Sequence, residues 1–114
     1  MLGLAAALLL TPVQAAPAGP RLVSYDEAVL CAGLTQAASE LEGGESEDGR
    51  ALYDAALFWS LSAMQAGQAA GKSGTAAEAD QNRARIDGVR RLSAGSDEAR
   101  ATLARCRART PDLG

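Results

Sequence analysis

Between Pro20 and Pro111 the chain contains no proline. Proline removes a backbone donor and collides with the preceding helical turn, so a proline-free stretch of this length leaves long helices open. The same stretch has no run of β-branched residues that would favour strands. No fixed-period repeat is evident. Glycines and small polar residues divide it into four segments, each with apolar residues at helical spacing.

The first segment starts with Ser24-Tyr25-Asp26-Glu27. This is a capping-box pattern: the serine accepts from the third helical N–H and the glutamate reaches back. Leu30, Leu34, Ala37 and Leu41 follow on one face, with Cys31 beside it, and Gly43-Gly44 ends the helix. The second helix follows an acidic loop, with Ser46 or Asp48 as its cap. Its Leu52/Ala56/Trp59/Ala63 stripe adjoins a Tyr53/Leu57/Leu61/Met64 stripe. The two together predict a wide apolar face and a central position in a bundle. Ala63, Gly67 and Gly71 share a face where a neighbour can approach closely, and Gly71 and Gly74 bracket the end. The third helix is expected to open with the Thr75–Glu78 capping pattern, to bury Ala79, Ile86 and Val89, and to stop at Gly95. Ser96 caps the fourth, which places Ala99, Leu103 and Cys106 on one face and Arg105, Arg107 and Arg109 in its last turns, where positive charge suits the helix dipole. Short connections predict antiparallel neighbours, hence a small all-α, up-down bundle of four helices.

The chain begins differently. Leu2–Leu10 is an apolar run, too short for a membrane-spanning helix of roughly 20 residues but of the length found in secretory signals. Thr11 and Pro12 break it, and Val13-Gln14-Ala15 offers small residues at the positions signal peptidase requires. Cleavage is expected after Ala15, with Ala18 as second choice. No lysine or arginine precedes Arg21, so either the start amine supplies the usual charge or translation begins upstream. Cys31 is not a lipidation site, because Leu30 precedes it and Asp26 and Glu27 separate it from the apolar run. The expected organisation is a signal peptide over 1–15, a linker over 16–23, the bundle over 24–110 and a tail over 111–114. It implies an exported chain, periplasmic or secreted, with no transmembrane segment once mature.

With 114 residues, 47% of them hydrophobic but only 4% aromatic, the core must be built largely from alanine, and a small alanine-rich core buries little area. Two cysteines in an exported chain point to a bridge that compensates. Cys31–Cys106 would tie the first helix to the last.

Chemistry is scarcer. There is no histidine, which removes the commonest general base and the Ser-His and Cys-His pairs. Two isolated cysteines fall short of a zinc site. Glu45, Glu47 and Asp48 sit in a glycine-rich loop without EF-hand spacing. Ala66–Ser73, AGQAAGKS, fits a phosphate-binding loop in letters only. That loop needs a preceding strand and a following helix start, whereas here an amphipathic helix precedes and Gly74 follows, so an interhelical turn is expected. No enzyme, cofactor or metal is expected.

The net charge of −3 argues against a nucleic-acid partner. It hides an acidic first half, Asp26 to Asp54, and an arginine-rich end, Arg83 to Arg109. The two halves either pair within the fold or offer an arginine face, Arg105, Arg107 and Arg109, to an anionic partner. Phe58 lies opposite the Leu52/Ala56/Trp59 stripe among polar residues. It is a candidate partner contact unless another helix or the N-terminal tail covers it. The expected function is a non-catalytic protein-interaction module of the cell envelope or secreted space. The alternatives are a stress holdase that loosens when its carboxylates are protonated, and arginine-mediated attachment to an anionic envelope surface.

Overall fold

The computed structural model describes residues 23–112. The expected signal segment, its cleavage point and the linker up to residue 22 lie outside the described residues. Four helices make up the described chain, with no strand: α1 (Tyr25–Glu42), α2 (Glu47–Ala69), α3 (Gly74–Ser93) and α4 (Asp97–Ala108). None is long and apolar enough to cross a membrane.

Every helix starts on a serine. Ser24, Ser46, Ser73 and Ser96 are extended, and each hydroxyl accepts from the backbone N–H three residues on, in Glu27, Gly49, Ala76 and Ala99. Each satisfies an N–H that the helix itself leaves without a partner. The capping box of α1 is half formed, because the Glu27 carboxylate pairs with Arg109 instead. The start of α3 corrects the expected Thr75 cap. Gly71 adopts φ +80°, Lys72 N–H closes the α2 terminus onto the Gly67 carbonyl at 2.8 Å, and Ser73 is already extended. The phosphate-loop look-alike Ala66–Ser73 is therefore the end of α2 and a tight turn, with a helix where a strand would be required.

The central helix is α1, not α2. Ala28, Cys31, Ala32, Gly33, Leu34, Thr35, Ala37 and Ala38 are all buried, and α2, α3 and α4 all pack on α1. Gly67 meets the Tyr25 ring at one end, while Ser39 and Tyr53 border one hollow near the other, so α2 runs against α1. Gly33 faces Ala84 and Ala37 faces Gly88, so α3 runs along it. Cys106 bonds Cys31 and Arg109 reaches Glu27, so α4 runs against it.

Two small-residue pairs, Gly33/Ala37 and Ala84/Gly88, make the α1–α3 contact. A Cβ placed on Gly33 would overlap that of Ala84, and one on Gly88 would lie 3.0 Å from the Ala37 Cβ. Burial on α3 therefore falls on Ala77, Gln81 and Gly88. The expected Ala79 and Ile86 are exposed and Val89 is half-buried. On α1, Leu34 and Ala37 are buried as expected, but Leu30 and Leu41 are exposed. Close backbone approach through glycine and alanine moved the interface off the bulkier residues that periodicity favours. Gly67 does receive a neighbour, the Tyr25 ring.

The disulfide joins Cys31 to Cys106, Cα–Cα 5.5 Å, with both residues buried. Beside it Trp59 is 1% exposed. Its indole N–H donates to Thr110 Oγ1 at 2.8 Å and to the Cys106 carbonyl at 3.3 Å, so the one polar atom of the ring is satisfied inside the core. Ala28, Ala32, Ala55 and Ala63 complete this cluster.

Candidate functional site

The residues singled out in the sequence are mostly committed to the fold. Arg107 pairs with Asp48 at 2.7 Å, and that ion pair and hydrogen bond hold the Asp48 carboxyl below its ordinary range. Arg109 pairs with Glu27 and lays its guanidinium 5.7 Å from the Trp59 ring centroid. Both arginines thereby fasten the end of α4 across α2 and α1. Arg105 is exposed, donates to Thr102 Oγ1 at 3.0 Å and borders a shallow hollow of about 160 Å³ over the disulfide. Phe58 is half-buried rather than facing solvent. It packs on the core cluster and stands edge-on to Trp59, ring centroids 5.1 Å apart.

Two helices, α1 and α3, and the α2–α3 turn converge on a second polar cluster. Tyr25 donates its hydroxyl to Asp80 Oδ2 at 2.7 Å. Lys72 Nζ lies 3.9 Å from the same oxygen and 4.9 Å from the tyrosine ring centroid. Arg83 pairs with the other Asp80 oxygen. Desolvation and the neighbouring carboxylate push the Tyr25 hydroxyl up to about 12. The hydrogen bond from Tyr25, helped by Arg83 and Lys72, holds Asp80 below its ordinary range. Every polar end of this cluster has a partner within it. It fastens the start of α1 to the α2–α3 turn.

What remains outward-facing is a surface that sequence reasoning assigned to the core. The stripe Leu52/Ala56/Trp59/Ala63 is buried, but Tyr53, Leu57 and Leu61 are 56%, 47% and 64% exposed, and Met64 is half-buried. They lie four residues apart, on one face of α2. From Ala55 to Ala69 α2 carries no charged residue, while the exposed Arg50 and Asp54 stand beside Tyr53. At one end stands the Tyr53 ring. At the other, Leu61, Met64, Gln68, Lys72 and Ala77 line a hollow of about 180 Å³ between α2 and α3. Among the described residues no group of three or more His, Cys, Asp or Glu side chains could hold a metal.

A charge-free run on a helix whose apolar residues outnumber those its neighbours can cover was the available signal. It was read as depth. A soluble helix normally shows charge on its outer face, and here that face is apolar or uncharged.

Comparison of the chain with family models, with curated proteins and with solved structures finds no match.

Proposed function

We propose that the chain is an exported, non-catalytic protein-interaction module of the cell envelope or secreted space, and that it binds through the outward face of α2. The observation that carries this reading is the exposed Tyr53/Leu57/Leu61 stripe, which beyond Asp54 runs into a part of α2 with no charged side chain. Aligned apolar residues at four-residue spacing suit a partner helix laid along α2. Support for export comes from the apolar Leu2–Leu10 run with its small-residue cleavage pattern, and from the Cys31–Cys106 bridge, which persists in oxidising compartments.

Two other readings have less behind them. Arginine-mediated attachment would draw on Arg105, Arg107 and Arg109, two of which are engaged by carboxylates of the same chain. Acid-triggered chaperoning needs the ion pairs to break, and the carboxyls of Asp48 and Asp80 are held below their ordinary range, which opposes their protonation.

The test is photocrosslinking from position 57 in the native host, with the intact mass of the non-reduced protein measured in parallel. A reproducible crosslinked species, lost with Leu61→Glu, is the expected result, together with a mature chain starting at Ala16 and lacking free thiols. A full-length chain with two thiols would overturn the compartment. Absence of any crosslink from position 57 would overturn the face.

A further inference from the structure

We infer that Met64 is an oxidation site, and that the buried Gln81 amide holds the resulting sulfoxide so that the fold withstands the change. Gln81 is 8% exposed, buried on α3 with Ala77 and Gly88. Among the described residues its side chain makes one hydrogen bond, from Nε2 to the Met64 sulfur at 3.3 Å. A thioether is a weak acceptor, so burial leaves this amide poorly satisfied. An oxygen carried on that sulfur is a strong acceptor, and the donor already points at it.

Access and room come from one place. Met64 is half-buried and lines the hollow of about 180 Å³ between α2 and α3. That volume holds several water-sized molecules, and hydrogen peroxide is only slightly larger than water. For the new oxygen to accept from Gln81 at about 2.9 Å, the sulfur must give way by roughly half an ångström to one ångström. The hollow beside it leaves that space, and the unbranched methionine side chain has the rotatable bonds to use it.

The reaction is a transfer of one oxygen from hydrogen peroxide. A sulfur lone pair attacks a peroxide oxygen, the O–O bond breaks as the S–O bond forms, and proton transfer completes a water molecule. Sulfur loses an electron pair and the peroxide gains it. Within residues 23–112 no other sulfur competes. Met64 is the only methionine after Met1, and both cysteines are held in the bridge. Methionine oxidation commonly disrupts a packed site by turning an apolar side chain polar. Here it replaces an N–H···S contact with an N–H···O bond, so the link from α3 to α2 is kept and strengthened. The inference is independent of what the outward face of α2 binds.

The experiment exposes the full bridged protein to hydrogen peroxide, with an unfolded methionine-containing peptide in the same solution. Peptide mass then locates the added oxygen, and thermal melts compare oxidised with untreated protein for the parent and for Gln81→Leu. The folded parent should take up one oxygen, on the peptide holding Met64. Its melting temperature should hold or rise. Oxidised Gln81→Leu, which offers no donor to the sulfoxide, should melt about 4–8 °C below its untreated form, the shift expected for one missing hydrogen bond in a domain of this size. Circular dichroism establishes that the variant is folded. Should it not fold, the side-chain amide signals of Gln81 in the parent decide: a downfield move of the donated proton on oxidation is expected, and an unmoved signal overturns the proposal. A Met64 that stays unoxidised while the peptide reacts overturns the site. Equal falls in melting temperature for the parent and Gln81→Leu overturn the role of Gln81.

Discussion

Removing the disulfide by Cys31→Ala with Cys106→Ala should uncouple α4 before it affects the other helices. The bridge closes a loop with a sequence separation of 75. In the chain-entropy treatment, denying the unfolded chain that freedom is worth about 4.5 kcal/mol at 25 °C. That is comparable with the whole stability of a small domain, about 5–15 kcal/mol. Little else holds α4. It buries only Ala99 and Cys106. Its other ties include the hydrogen bonds from the Trp59 indole to Thr110 and the Cys106 carbonyl, worth about 1 kcal/mol each, and the surface pairs Asp48–Arg107, Glu27–Arg109 and Arg91–Glu98, which solvent screening leaves weak. Against these stands the cost of ordering twelve helical residues, about 1–2 kcal/mol each, which the helix's own hydrogen bonds only partly offset. Native-state hydrogen exchange resolves the order of events. The α4 amides should lose protection by several orders of magnitude while Ala28–Ala38 in α1 keep a larger share of theirs. Trp59 emission should shift to the red as its cover lifts, and the denaturant midpoint should fall by the equivalent of about 4–5 kcal/mol. An α4 that keeps its protection, or a loss below about 1 kcal/mol, would refute the view that the bridge is what docks this helix.

Other outcomes follow from the packing and the two polar clusters. Gly33→Ala sets a methyl against Ala84 and should cost about 1–3 kcal/mol in a denaturant melt, whereas Gly44→Ala, with nothing within 4 Å, should stay within about 0.5 kcal/mol of the parent. The Tyr25 hydroxyl is raised from 10.0 to about 12 in the folded chain, so the stability it contributes is intact below pH 10 and is lost as pH climbs towards 12. The melting temperature should fall across that window, and Tyr25→Phe should flatten the fall; an identical slope in the variant would exclude Tyr25 as its source. Asp48 and Asp80 are lowered from 3.8, so what they contribute persists above about pH 4 and is lost as pH falls through their depressed values. Acid unfolding of Asp48→Asn with Asp80→Asn, followed by circular dichroism, should depend less on pH below 4 than that of the parent.

Several features of the molecule were legible in the chain because their causes are local or compartmental. Serine caps act over three residues, so Ser24, Ser46 and Ser96 could be read as helix starts. The α3 start slipped by two residues because Ser73 and Thr75 offer equal capping chemistry, and the backbone turn at Gly71 chose between them. The Cys31–Cys106 pairing needed only that there are two cysteines and the expectation that the chain is exported.

Which faces meet is decided by elements far apart in sequence. Hydrophobic period marks what a helix could bury, not which neighbour arrives. Periodicity favoured α2 for the centre because it has two apolar stripes. The structure gives that place to α1, whose Ala28, Ala32, Gly33, Ala37 and Ala38 are small enough for three helices to close around it. Once Gly33 and Gly88 let α1 and α3 approach through their backbones, Leu30, Leu41 and Ile86 were left outside. Once α1 took the Leu52/Trp59 side of α2, no other described helix remained to cover Tyr53, Leu57 and Leu61. Phe58 went the other way, drawn inward by the edge of Trp59. The chain alone thus determined four capped helices and one bridge; the tertiary structure decided that a stripe read as core is an exposed apolar face, because burial depends on the spatial neighbour and helical period does not name it.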